Sequence, residues 1–393
     1  MADNLGDLLA LEDNTSSGVY IKRDLQIVRG EGAHLIDADG ARYIDCVGGQ
    51  GAANLGHSHP AITAAIQAQA AELVICPELF HNPVRAEYQA ALCAAAGMPR
   101  VYLCSSGAEA NEAALKFARL VTGRSGILAT MRGFHGRTMG ALSATWEKKY
   151  REPFNPLLPD VAHVPYNKRD KLAEAMHDGI GAVLIEPIQG EGGVHPAEAG
   201  YLEGVQALCR EHGALLIMDE VQTGMGRTGD LFAHWHHAGV EPDLICLAKS
   251  IGGGVPMGAV LLGPRLGAIP PATHGSTFGG NPLACAAGLA VLETLQNSDL
   301  MPRAKQLGAE IRAFWRAELP EKAYREVRGR GFMFGIELRG KVAPVLAELQ
   351  ARGVLALPAG LTVLRLLPPL VMEDDDLWMA ARAVVEVLSE MVD

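Results

Sequence analysis

Between residues 100 and 249 the chain repeatedly sets a short, nearly uninterrupted apolar run against a segment with helical spacing. The runs "RVYLCS" (100–105), "SGILAT" (125–130), "AVLIEP" (182–187), "ALLIMD" (214–219) and "DLICLAK" (243–249) read as strands. After the first, Ala110, Ala113, Ala114, Phe117, Leu120 and Val121 fall on one helical face, and 200–212 is helical between two later strands. Strands that are apolar on both faces must be covered on both. The pattern therefore predicts an α/β fold, a mostly parallel sheet with helices on either side.

The flanks read differently. Gln26 to Val47 resembles a small β-meander with a turn at Asp39-Gly40. Residues 285–317 are largely helical, while 324–339 and 354–371 offer strands for an α+β unit. Three regions are expected: an N-terminal arm with the meander (1–55), a large α/β domain (56–298) and a small C-terminal α+β domain (299–393). A chain of 393 residues, 49% hydrophobic, can bury a core of that size. The balance 34 − 45 = −11 argues against a nucleic-acid or membrane-surface partner. Seven cysteines (46, 76, 93, 104, 209, 246 and 285) include no CxxC and suggest a reducing compartment. The N-terminus carries no signal-peptide pattern, and no run reaches the roughly 18 apolar residues of a membrane span. A cytoplasmic location is expected.

The strand 214–219 runs into Gly224-x-Gly226-x-x-Gly229, which matches a dinucleotide-binding fingerprint. Such a loop should follow its strand at once and open a helix. Here Asp219 and Glu220 intervene, two carboxylates that would repel a pyrophosphate, and "DLFAHWHHAG" opens no long helix. The glycines are read instead as a tight turn beside a ligand.

Open α/β sheets bind ligands beyond the carboxyl ends of their strands. One strand ends in Asp219 and another in Lys249. A lysine closing an apolar strand is a poor structural choice but a good one for a Schiff base, because desolvation makes it lose its proton. A buried aspartate can keep a cofactor's pyridine nitrogen protonated. The strand at 100–105 leads into Ser106-x-x-Glu109, a capping box, and Gly107 lets the backbone approach an anion at the helix N-terminus. Each feature alone has a plain alternative: a capped helix, an exposed lysine, two loop acids. Together, a phosphate cradle, an acid and a lysine on neighbouring strand ends describe a site for pyridoxal 5′-phosphate (PLP).

The stretches "SSGAEANEAALKFARLVTGR", "GFHGRTMGALSATW", "EPIQGEGGVHP", "LLIMDEVQTGMGRTG", "LAKSIGGGVPMGAV", "HGSTFGGNPLACAAG" and "LRLLPPLV" resemble the class III (ω-type) PLP-dependent aminotransferases of fold type I. The resemblance runs from about Gln26 to the C-terminus. Within the class it is similar to acetylornithine aminotransferases and to carrier-protein (LysW)-lysine aminotransferases. It implies a seven-stranded, mostly parallel sheet and a homodimer with shared active sites. Lys249 would hold the cofactor covalently and then shuttle a proton, Asp219 would pair with the pyridinium, and Gln222 would meet the phenolic oxygen. Phe134 would stack on the ring, Gly107 and Ala108 would bind phosphate through backbone N–H groups, and Glu220 and Val221 would complete the cofactor site. Thr277 would reach the phosphate from the other subunit, with Ser276 close to substrate.

Transamination takes two carboxylate-bearing partners in turn, and arginine suits both. The resemblance makes Arg137 the anchor for a distal-amine donor's α-carboxylate. It makes Arg365 the clamp for 2-oxoglutarate, masked by Glu191 while that donor is bound. The acceptor would then be 2-oxoglutarate, giving glutamate. "TWEKKYREPF" (145–154) carries Lys148, Lys149 and Arg151, and Lys168, Arg169 and Lys171 follow. These would suit an acidic carrier protein presenting lysine, although a solvated charged face explains them equally. N-acetylornithine remains the alternative donor. Histidines 57, 59, 234, 236 and 237 match no metal-site spacing, so no metal is expected. A nucleotide-dependent oxidoreductase, a PLP racemase or decarboxylase, and a non-catalytic regulator stay as other readings.

Overall fold

The computed structural model describes residues 5–392. Its central sheet has seven strands: β1 Arg100–Cys104, β2 Gly126–Thr130, β3 Val161–Val164, β4 Ile180–Ile185, β5 Leu215–Asp219, β6 Leu244–Leu247 and β7 Gly258–Leu262. Their spatial order is β1-β7-β6-β5-β4-β2-β3. All neighbours are parallel except β7, which runs antiparallel to both β6 and β1. The α/β fold with a mostly parallel seven-stranded sheet is the one expected. Strand β3 is short and mixed in polarity, and β7 lies in a glycine-interrupted apolar run, so neither stands out in the sequence.

Alternate residues of the strands feed two cores. Ala182, Leu184, Leu215, Ile217, Leu244, Cys246 and Val260 pack against the helix Gly107–Thr122 through Ala110, Ala113, Ala114 and Phe117. Val183, Ile185, Leu216, Met218, Ile245 and Leu261 pack on the opposite face, where the helix Tyr201–Glu211 supplies Leu202, Val205 and Leu208. Full burial of such a side chain contributes roughly 1.5–3 kcal/mol, which explains the uninterrupted apolar runs. Leu120, expected on the buried face of the first helix, is 43% exposed. That helix is capped by the Ser106 side chain and ends at Gly123, whose φ of +66° is the left-handed conformation glycine supplies without strain.

The meander forms as expected from Ile27–Glu31, His34–Asp37 and Arg42–Asp45, with Gly40 in its turn at φ +85°. It does not stand alone. Val354–Leu355 adds a fourth, parallel strand beside Arg42–Asp45, so the N-terminal strands share a sheet with the C-terminal region. A pairing between segments so far apart leaves no local mark. Tyr324–Arg330, Met333–Leu338, Val363–Leu366 and Leu357–Ala359 form an antiparallel sheet. Among the described residues no helix is long and apolar enough to cross a membrane.

Candidate active site

A cavity of about 440 Å³ lies at the carboxyl edge of β5 and β6, against the N-terminus of the helix Gly107–Thr122. Ser106 Oγ accepts the Glu109 N–H at 3.2 Å, while Glu109 Oε2 accepts the Ser105 N–H at 2.6 Å. The helix leaves the N–H groups of Gly107 and Ala108 without intrahelical acceptors, at its positive end. A Cβ at Gly107 would stand 2.8 Å from Val221 Cγ1, so glycine is what allows the helix to start this close to the cavity wall.

Asp219 closes β5 and is 3% exposed. Its Oδ2 accepts Asn111 Nδ2 at 2.8 Å and sits 2.7 Å from His135 Nδ1; its Oδ1 accepts the Val221 N–H at 3.0 Å. Burial opposes a charge on His135, but the hydrogen bond to Asp219 and that residue's charge overcome it and raise the imidazole pKa. Glu186 lines the same cavity. Its two oxygens accept the N–H groups of Phe134 at 3.0 Å and Gly190 at 3.1 Å, and burial lifts its pKa to about 7. One carboxylate thus fastens both the loop of Phe134 and the loop of Glu191.

Lys249 does not close β6, which ends at Leu247; it opens a 3-10 turn, Lys249–Gly252, with φ at +49°. A non-glycine residue there is strained, a conformation that clusters at functional sites. Part of its surface opens onto the cavity, and the enclosing wall lowers its pKa against the opposing pull of Glu191.

Arg365, in Val363–Leu366, is 2% exposed and lies behind Glu191 and Gln222. Its Nη1 donates to Glu191 Oε1 at 2.6 Å and to Gln222 Oε1 at 3.2 Å. Burial works against the Glu191 charge, yet the Arg365 guanidinium holds that carboxyl below its ordinary pKa. The Gln222 amide, expected at a cofactor oxygen, is here engaged by Arg365 and, at 3.5 Å, by Glu191. Gly190 packs beside it, and a Cβ there would fall 2.0 Å from Gln222 Oε1 and push that amide aside. Arg137 is exposed at the cavity mouth, its guanidinium carbon 3.5 Å from the Tyr150 ring centroid.

The fold therefore brings Gly107, Ala108, Phe134, Arg137, Glu191, Asp219, Val221, Gln222 and Lys249 around one space. Glu220 is a correction. Its carboxylate turns away, taking the N–H groups of Ala233 and His234, the Thr223 hydroxyl and His234 Nδ1 at 2.8–2.9 Å. Burial is outweighed by His234, and its pKa falls. Adjacent residues at a strand end point to opposite sides, and only Asp219 faces the cavity. The glycines of 224–229 make the expected tight turn, with Gly226 and Gly229 at φ +86° and +95°, and only the ligand beside it is corrected. A Cβ at Gly226 would meet Leu370 at 2.9 Å and one at Gly229 would meet Lys305 at 2.7 Å, so they admit the C-terminal region rather than a ligand.

Ser276 and Thr277 lie elsewhere, in the wall of a depression of about 1200 Å³ shared with Leu79 and Tyr102. Lys148 and Lys149 are exposed on the short helix Lys148–Arg151. Lys168, Arg169 and Lys171 are not in the cavity wall; Lys171 pairs with Glu174, and Arg169 packs under Gly204. His57 meets Asp45, His234 meets Glu220 and His236 meets Asp230; among the described residues no three potential ligands converge on a metal position. Asn111, His135 and Glu186 also belong to the site, and the sequence pattern does not single them out. Asn111, a polar residue on the buried face of its helix, was the readable signal.

The model of the class-III aminotransferases matches residues 18–388. The chain belongs to this family. Its members depend on PLP, and the residues here fit that group: a helix N-terminus cleared by Gly107, a buried acid with two donors behind it, and an enclosed lysine of lowered pKa. This aminotransferase is 45% identical, over 98% of its length and 90% of the relative's, to a [LysW]-aminoadipate semialdehyde transaminase of Deinococcus radiodurans. It is 40% identical over 94% of its length, and 96% of the relative's, to an acetylornithine aminotransferase of Bacillus cereus. Among solved structures, an ornithine aminotransferase from Toxoplasma gondii superposes with a TM-score of 0.94 at 34% identity, covering 98% of this chain and 94% of that one.

Proposed function

We propose that this aminotransferase moves the distal amino group of an N-blocked diamino acid to 2-oxoglutarate, leaving a semialdehyde and glutamate. We propose lysine presented on an acidic amino-group carrier protein as the donor. The observation that carries the reading is the Arg365–Glu191 pair beside the cavity, with a second arginine, Arg137, at the mouth and without an ion-pair partner among the described residues. A buried arginine masked by a carboxylate suits an enzyme that must bind a dicarboxylate, 2-oxoglutarate or glutamate, in one half-reaction and a distal-amine donor in the other. The 36% exposure of the Glu191 side chain gives it room to swing. The likeness to the D. radiodurans transaminase and the exposed Lys148 and Lys149 favour the carrier-bound donor. Likeness to acetylornithine aminotransferases keeps N-acetylornithine as the second reading.

When bound, PLP supplies an aldehyde that takes up the amino group and a ring that withdraws electrons. The N–H groups of Gly107 and Ala108 would hold its phosphate, and Phe134 would cover one face of the ring. Asp219, fixed by Asn111 and His135, would hold a proton at the ring nitrogen. Lys249 Nζ would move the proton at the amine-bearing carbon, its lowered pKa favouring the neutral amine that a base requires. Thr277 and Ser276 would serve the partner's site in a homodimer, a reading supported by Leu79, Phe80 and Phe278, which are 87%, 65% and 62% exposed beside that loop. Seven free cysteines suit a cytoplasmic setting.

The test compares carrier-bound lysine with N-acetylornithine in wild type and in a Lys148→Glu, Lys149→Glu double variant. Charge reversal should weaken the carrier-bound donor alone. Equal effects on both donors, or none on either, would return these lysines to a solvated face.

A further inference from the structure

At the cavity mouth one arginine is fixed in plane while its hydrogen-bonding edge stays clear of protein partners. The Arg137 guanidinium carbon lies 3.5 Å from the Tyr150 ring centroid and 5.5 Å from that of Phe134. The two rings meet edge to face, centroids 6.3 Å apart and planes at 84°. Lys149 Nζ sits 4.8 Å from the same Tyr150 centroid. Among the described residues no carboxylate or carbonyl pairs with Arg137. An exposed arginine ordinarily samples many rotamers, and a carboxylate that binds it must order it first. Stacking sets the orientation beforehand and leaves all five in-plane donors of the fork available.

The platform is braced by the loop that carries the arginine. Trp146 donates its N–H to the Gly133 carbonyl at 2.9 Å. Thr145 Oγ1 accepts the His135 N–H at 2.9 Å and donates to the Gly136 carbonyl at 3.1 Å. Arg151, next to Tyr150, reaches the Trp146 carbonyl at 3.4 Å. Residues 133–151 thus form one tied unit, with Arg137 and Tyr150 on facing segments.

We propose that Tyr150 holds the Arg137 fork flat at the cavity mouth, oriented to take a substrate carboxylate bidentately: the donor's α-carboxylate in one half-reaction and glutamate's second carboxylate in the other. This rests on the reading of Arg137 as the donor's carboxylate anchor. Tyr150 acts through Arg137 and is a positioning residue. Glutamate carries two carboxylates and Arg365, on a strand of the C-terminal sheet, takes one, so through Arg137 Tyr150 bears on both half-reactions.

The holoenzyme is tested in separate half-reactions with N-acetylornithine and with glutamate, taking dissociation constants from the concentration dependence of single turnovers. Tyr150→Leu keeps apolar bulk but loses the π-face. It should raise the N-acetylornithine and glutamate constants each about two- to five-fold, the strength of a partly exposed cation–π contact. Tyr150→Phe should restore both constants, and in an Arg137→Ala background Tyr150→Leu should add nothing. If Tyr150→Leu matches wild type, or acts fully in the Arg137→Ala background, the platform role is overturned. If Arg137→Ala itself leaves the donor constant unmoved, the underlying assignment of Arg137 falls instead. Tyr150→Met provides a second aliphatic variant if Tyr150→Leu does not fold.

Discussion

Replacing Glu191 with glutamine should tighten glutamate binding. In the wild-type protein a glutamate carboxylate, the α-carboxylate beside the reacting carbon, must displace Glu191 from Arg365, to which Glu191 is bound at 2.6 Å. Breaking a fully buried ion pair by removing one partner costs about 3–5 kcal/mol. The Glu191 side chain is 36% exposed, against 3% for Arg365, so water screens this pair and a discount to about 1–2 kcal/mol is appropriate. That range corresponds to roughly a five- to thirty-fold bias toward the masked state. A ligand that binds only the unmasked state has its apparent constant raised by the same factor. Glutamine still offers one acceptor to Arg365, which places the expected gain near the lower end, about five-fold. The assay is the glutamate half-reaction, followed through the cofactor's visible absorbance across glutamate concentration. Discrimination against glutamate in the presence of the distal-amine donor should fall alongside. Because Arg365 holds the Glu191 pKa down, the mask persists above the ordinary carboxylate range and opens only as pH falls below it. A glutamate constant that is unchanged or raised in Glu191→Gln would refute the masking role.

Asp219→Asn should leave PLP bound but slow turnover by orders of magnitude, because an amide cannot hold a proton at the ring nitrogen; near-wild-type kcat would remove that role. Gly107→Val should raise the PLP dissociation constant, since the first added carbon already stands 2.8 Å from Val221, and equilibrium dialysis measures it. Unaltered affinity would show that the helix start does not cradle phosphate. Glu186, with a folded pKa of about 7 against an ordinary 4.5, retains a proton that the unfolded chain has released, so its contribution to stability falls as pH rises through that interval. Glu186→Gln should flatten the pH dependence of Tm between those values; an unchanged slope would argue against a raised pKa.

The sheet was legible because strands buried on both faces must be apolar throughout, as "AVLIEP" and "ALLIMD" are. Strand β7 was obscured by the glycines around it, and the four-stranded N-terminal sheet needed Val354–Leu355, some three hundred residues on, which no local pattern announces. At the site, residue type and strand-end position drew attention to Asp219 and Lys249. Side-chain direction was not readable: Glu220 looks equivalent to Asp219 in the sequence but is consumed by His234. His135 and Asn111 matter only because the fold points both at one carboxylate oxygen. The 224–229 glycines carry the pattern of a ligand loop and serve a packing need, which depends on what Met301, Lys305 and Leu370 bring up against them.

Lys249 is the position on which the chemistry turns. Borohydride treatment of the PLP-loaded protein, followed by peptide mapping, should fix the cofactor to the Lys249 side chain and to no other lysine, and Lys249→Ala should show neither the label nor turnover. A label on a different lysine, or turnover retained without Lys249, would contradict the account.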